Sequence, residues 1–340
     1  MICRFTHSQG LVSNQGNTLT RSLLVGAMAF GATLVPLGLS SPAGASSPTI
    51  SVGSQPHGVA VNPDTNTIYV ANYSSNSVSV IDGSNNHVKS TVPVGTHPYG
   101  VAVNPSTDTV YVTNVGNNSV SVIDGSNNHV RSTVTVGTHP HGVAVNPSTD
   151  TVYVANSGGN SVSVIDGSTN SVTATVTVGT HPHGVAVNPS TDTVYVTNSA
   201  RSSRSVSVID GSTNTVTSTV TVGSKPSEVA VNTSTNTIYV ANHSSHSVSV
   251  IDGSTNTVTA TVTVGSGPYG VAVNTSTNTI YVANLSGHAV WVIDGLNNHV
   301  RPRVTVGTHP FGVAVNPSTD TIYVANVGDN SVSVINGSTT

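Results

Sequence analysis

The tetrad Tyr-Val-Ala/Thr-Asn begins at Tyr69, Tyr111, Tyr153, Tyr195, Tyr239, Tyr281 and Tyr323, at steps of 42, 42, 42, 44, 42 and 42 residues. A repeat of that period marks a solenoid, a propeller or a similar array, in which each copy is one supersecondary unit. One copy runs Gly142-Val-Ala-Val-Asn-Pro, then Thr151-Val-Tyr-Val-Ala-Asn, then Ser161-Val-Ser-Val-Ile-Asp-Gly, then Thr173-Ala-Thr-Val-Thr-Val-Gly. The four runs are rich in β-branched residues and alternate with period two. Asn-Pro-Ser-Thr-Asp and Asp-Gly-Ser-Thr-Asn clusters divide them, and those residue types favour turns. Each copy therefore predicts a four-stranded antiparallel sheet, and the whole chain an all-β fold.

One such sheet of roughly 40 residues cannot bury both faces alone, so the copies pack on one another in an open stack or a ring. The ends of the repeat favour the ring. The last copy stops at Ile335-Asn336-Gly337-Ser338-Thr339-Thr340 without its fourth strand, while Thr49-Ile50-Ser51-Val52-Gly53 matches the end of that strand in Thr175-Val176-Thr177-Val178-Gly179. The expectation is a seven-bladed β-propeller over residues 46–340, with the N-terminal strand closing the last blade.

Ahead of the repeats, Arg4 and Arg21 precede an apolar stretch from Leu23 to Leu39 that leads to Ala43-Gly44-Ala45, a small-x-small cleavage pattern. Residues 1–45 read as a signal peptide with a long n-region. The stretch, interrupted by glycines and Pro36, is marginal for a membrane span, and no later run is apolar enough for one. The chain is thus expected to be exported and extracellular or at the cell surface, with free secretion as the default. The single cysteine, Cys3, falls in this leader, so the mature chain has no thiol for a disulfide or a nucleophile.

These tetrads, with Gly-Val-Ala-Val-Asn before and Ser-Val-Ile-Asp-Gly after, closely resemble the YVTN-type propeller repeat. The resemblance runs from about Pro48 to Thr340. It implies a propeller of a kind that includes secreted and surface-layer-associated proteins, most without an assigned reaction. It carries little about the task, because propellers host many unrelated activities.

Charged residues make up 6% of the chain, with nine Lys+Arg against 13 Asp+Glu and a net charge of -4. No basic tract is available to follow a row of phosphates, which argues against a nucleic-acid partner. The strand order places most acids on one face: Asp64, Asp108, Asp150, Asp192 and Asp320 in one turn, and Asp82, Asp124, Asp166, Asp210, Asp252 and Asp294 in the other. Each of the latter six precedes a glycine, which reads as a tight turn; calcium would need such carboxylates to converge on one point. The opposite face carries most of the histidines, with Arg201, Arg204 and Lys225.

At the mouth of the axial channel one position varies from blade to blade: His57, Tyr99, His141, His183, Ser227, Tyr269 and Phe311. Aromatic and imidazole rings around a concave opening suit small polar or sugar-like ligands, through stacking and hydrogen bonds. A plain plug of planar side chains is the simpler alternative. Glu228, the only glutamate, replaces the glycine found at Gly58, Gly100, Gly142, Gly184, Gly270 and Gly312. A lone acid beside imidazoles suggests a general base of the lyase or lactonase type, but such sites use several channel carboxylates to hold a cation.

His139-Pro140-His141 and His181-Pro182-His183 place imidazoles at i and i+2, on one side of an extended chain about 6.5 Å apart. With a third ligand from a neighbouring blade they would suit zinc or copper. His-Pro recurs at His97 and His309 as part of the copied unit, which explains its abundance without a metal. No Gly-x-Ser-x-Gly, phosphate loop or His-Glu-x-x-His occurs, and no cofactor is expected. The reading is a monomeric, non-catalytic module that binds a small molecule, glycan or surface protein through His57, Tyr99, His141, His183, Ser227, Glu228, Tyr269 and Phe311. The alternatives are an enzyme centred on Glu228 and a structural wall or surface-layer component.

Overall fold

β-branched residues at alternate positions favour extended backbone and bury one face of each strand. In the structure, a computed structural model, this pattern becomes seven four-stranded antiparallel sheets; residues 47–201 and 203–340 are described. The segment 1–45 read as a leader lies outside the described residues. In the third blade the strands are Pro140–Asn146, Thr151–Asn156, Ser161–Asp166 and Ser171–Thr177, paired in chain order. The first strands of successive blades contact one another around the ring, and that of the first blade contacts that of the seventh.

The seventh blade is built from both ends of the repeat region. Pro310–Asn316, Thr321–Asn326 and Ser331–Asn336 are completed by Thr49–Ser51, with Ile50 opposite Val332. Val334 N–H donates to Pro48 C=O at 2.8 Å, and Val52 N–H donates to Asn330 C=O at 3.0 Å. The ring is closed by the strand that the repeat ends pointed to.

The core lies between blades. Val143 and Val145 pack into the cluster around Tyr111 of the preceding blade, while Ala144 turns the other way, onto the cluster around Tyr153. The seven tetrad tyrosines are at most 1% exposed, so each is an interblade packing residue. On the acid-rich face, a ring of side-chain bonds adds to this packing. Asn146 Nδ2 donates to Asp192 Oδ1 of the next blade at 2.7 Å, and six equivalent bonds of the same length complete the circle, the last from Asn316 to Asn66. Asn146 is fully buried and its Oδ1 accepts from Ser148 N–H at 3.0 Å. Asn146→Ala is therefore expected to lower stability by about 1–3 kcal/mol in denaturant unfolding, the cost of stranding buried polar partners.

The Asp-Gly turns differ from the sequence expectation. The left-handed residue is not the glycine but Asn86 and its equivalents, with φ of 59° at Asn86. Asp82 Oδ1 accepts from Ser84 N–H at 2.8 Å, and Asn86 N–H donates to Asp82 C=O at 2.8 Å, so the aspartate organises a longer loop. Gly83 is required for closeness: a Cβ there would run into Asn66 Oδ1. The six aspartates stay at six separate turns, each with its carboxyl held below the usual range by hydrogen bonds within its own turn or, at Asp294, chiefly by Arg301.

Candidate functional site at the channel mouth

Each first strand begins with a proline that follows a left-handed residue: Gln55, His97, His139, His181, Lys225, Gly267 or His309, with φ between 50° and 65°. Six of these seven donate their backbone N–H to a side chain in the second-to-third-strand loop of the preceding blade. Asn330, Asn76, Asn118 and Asn160 accept through Oδ1 at 2.8 to 2.9 Å, whereas His246 and His288 accept through Nδ1 at 3.1 and 3.0 Å. His246 and His288 thus stand in for asparagine as backbone acceptors. The left-handed turn at His139 and His181 also removes the extended geometry on which a His-Pro-His metal clamp depends. Among the described residues no three His, Cys, Asp or Glu side chains converge to hold a metal.

The residue after the proline points to the axis in six blades. Its carbonyl occupies the space that a Cβ on the glycine of the preceding blade would need: Tyr99 C=O against Gly58, and His141 C=O against Gly100. Where the second strand carries threonine, its hydroxyl donates to such a carbonyl, Thr113 to His141 and Thr197 to Ser227, both at 2.6 Å. Ser227 itself is 2% exposed and its hydroxyl donates to Tyr269 C=O at 2.8 Å. Ser227 therefore supplies the bridge that Ala241 cannot, and it does not open onto the mouth. In this blade Glu228 turns inward, with Oε2 lying over Gly184.

The other six mouth residues form one interlocked cluster. Tyr99 Oη lies 2.6 Å from Tyr269 Oη and 2.9 Å from His183 Nε2, and Tyr269 Oη lies 2.7 Å from the same nitrogen. The two phenols and the imidazole thus close a triangle of polar approaches, so both phenols are engaged inside the cluster. Burial pushes both phenols well above their usual range. His183, 8% exposed, places Nδ1 3.3 Å from Glu228 Oε1, within ion-pair range but without the alignment of a hydrogen bond.

Rings seal the remainder. Tyr269 packs on Phe311 with centroids 3.9 Å apart, His141 stacks on Tyr99 at 4.5 Å, and His57 meets Phe311 edge-on at 4.5 Å. Burial lowers the pKa of His57 and pushes that of His141 down to about 3, helped by neighbouring imidazoles. Beneath the plug is a cavity of about 100 Å³, lined by His57, Tyr99, Glu228, Phe311 and the glycines and valines of the first strands. Pockets that take drug-sized ligands hold roughly 300–1,000 Å³, so this space suits a few waters.

Above the plug lies an open hollow of about 420 Å³, walled by Gln55, His57, Tyr73, Tyr99 and His141. Tyr73 is a residue that the mouth register does not contain. It follows the tetrad asparagine Asn72 and stacks on His97 at 4.5 Å and leans on His57 at 4.9 Å. His243 holds the equivalent place in the fifth blade, against Tyr269 at 6.1 Å. The signal was available in the same form as at the mouth, since this position reads Tyr73, Val115, Ser157, Ser199, His243, Leu285 and Val327 in otherwise repetitive units.

Fold and mouth together define a seven-bladed propeller whose axial opening is filled by rings. A YNCE-like beta-propeller model matches residues 101–340, and an NHL repeat model matches residues 54–81. The chain belongs to the YNCE-like β-propeller family. A comparison with curated proteins finds no significant match. Among solved structures 1502 chains match, and a shared fold does not by itself point to one activity. One is Kuenenia stuttgartiensis hydrazine synthase, with 23% identity, a TM-score of 0.76, and coverage of 83% of this chain and 95% of that one. The likeness is one of fold. Among the described residues no helix is long and apolar enough to cross a membrane.

Proposed function

We propose that this chain is an exported, non-catalytic, YVTN-type propeller module that binds a small planar or sugar-like polar ligand, free or as part of a surface glycan, at the mouth face. The observation that carries this reading is the hollow above the plug, where rings already locked by stacking offer faces and nitrogens without paying much ordering entropy. A rigid floor of this kind binds without rearrangement. The lyase or lactonase reading centred on Glu228 has less support. Its carboxylate lies against His183 of the plug, beside a cavity too small for a sugar. A structural surface-layer role rests on no particular contact.

A screen of glycans and small planar molecules against the purified protein tests the proposal, repeated with Tyr73→Ala, His183→Ala and Tyr269→Ala. Losing a stacking face is expected to weaken binding about 3- to 10-fold for Tyr73→Ala. His183→Ala and Tyr269→Ala act by loosening the floor. Binding untouched by all three variants places the ligand on another surface, and ligand turnover abolished by Glu228→Gln would establish the enzyme instead.

A further inference from the structure

Three departures from the copied unit meet at one spot on the mouth face. Arg201 lies in the stretch where the fourth repeat is two residues longer than the others. Arg204 occupies the left-handed loop position held elsewhere by Asn76, Asn118, Asn160, His246, His288 and Asn330. Lys225 takes the left-handed position before the proline, in place of Gln55, Gly267 or a histidine. Of the nine Lys+Arg in the chain, these three line a single hollow of about 330 Å³, together with Ser224 and Ser244. All three are exposed, and among the described residues none forms an ion pair with a carboxylate.

The backbone supplies a second, independent observation. At the six other blade junctions the N–H before the proline is taken by the Asn or His side chain of the preceding loop. Arginine has no acceptor atom. Replacing that side chain by Arg204 therefore withdraws the partner of Lys225 N–H, and among the described residues no other group accepts from it. Among the described residues, the substitution that adds a cation also leaves a donor beside it without an acceptor. His243, next to this hollow, has its pKa lowered by burial and further by Lys225, in keeping with a local positive field.

We infer that this hollow is an oxyanion site, in which Arg201, Arg204, Lys225 and its backbone N–H, with the Ser224 and Ser244 hydroxyls, take a phosphate or sulfate group. Guanidinium groups match such oxygens two at a time, while lysine adds a point charge. The group comes either as the free ion or as an ester on a glycan. The site stands independently of the hollow over the plug.

Titration calorimetry at low ionic strength distinguishes the sources, with inorganic phosphate, inorganic sulfate, dextran sulfate and uncharged dextran as probes. Arg204→Asn is the informative variant, because it restores the acceptor used at the other junctions and keeps the fold. It is expected to weaken binding at least about tenfold, as is Lys225→Ala. Arg131→Ala, on an outer strand, should leave affinity unchanged, and 0.5 M NaCl as the added condition, roughly a 4 Å screening length, should abolish most of it. Binding of the ions identifies a free-anion site and binding of dextran sulfate alone an ester site; either supports the inference if Arg204→Asn removes it. No binding to any anionic probe overturns it, as does an equal loss with Arg131→Ala or equal binding of uncharged dextran.

Discussion

A chain that starts at Ser54 is expected to lose most of its stability and to self-associate. Thr49–Ser51 is the fourth strand of the seventh blade, and Ile50, 8% exposed, shares a cluster with Val332, Tyr323, Ile68 and Val70. Those partners come from the seventh and first blades, so the short strand packs where the two ends of the ring meet. Truncating Ile50 alone to alanine should cost about 2–5 kcal/mol, in the range of buried large-to-small changes. Deletion also removes the backbone bonds at Pro48 and Val52 and leaves Ser331–Asn336 as an open edge. Thermal unfolding together with size-exclusion chromatography checks this. An unchanged midpoint and a monomeric peak for the shortened chain would show that closure contributes little.

Acidification is expected to destabilise the protein well before its carboxylates titrate. Burial, with His183, His139 and His57 nearby, pushes His141 from an ordinary value of 6.5 down to about 3. The unfolded chain therefore takes up a proton near pH 6.5 that the folded chain accepts only near pH 3. The contribution is fully present above pH 6.5 and is lost progressively as pH falls through that interval, the loss reaching roughly 4 kcal/mol at its lower end. His57 and His243, both lowered chiefly by burial, act in the same direction. Denaturant midpoints measured from pH 7.5 to 4.5 should fall steadily, and His141→Phe, which keeps the stack on Tyr99, should flatten the slope. A slope identical in wild type and variant would mean that His141 titrates freely.

Architecture was legible because it is written seven times. Alternating valines such as Val143 and Val145 announce a strand with one buried face, and the repeat of 42 residues announces copies that need one another. The orphan strand at Thr49 even indicates closure. Details that depend on three-dimensional neighbours were not. The asparagine ring from Asn62 to Asn316 joins residues 46 or more positions apart, and nothing local to Asn-Pro-Ser-Thr-Asp shows that its first residue bonds the next blade. Ser227 shares the mouth register, yet its short side chain has no ring to reach the cluster and its hydroxyl bridges to Tyr269 C=O instead. Tyr73 belongs to a different loop and reaches the mouth only because the blades bring that loop over His57 and His97.

By itself, the sequence determined a ring of seven antiparallel sheets, because period-two burial and a repeated unit too small to cover its own faces have few other solutions. It also sorted the polar residues onto two faces, since antiparallel strands send alternate loops to opposite ends. Tertiary structure alone decided that the mouth is filled. Whether rings at His57, Tyr99, His141, His183, Tyr269 and Phe311 line an open funnel or close over it depends on the radius at which seven first strands meet. That radius is set by carbonyls seated over glycines and by small alanines between sheets, distances that no single repeat encodes.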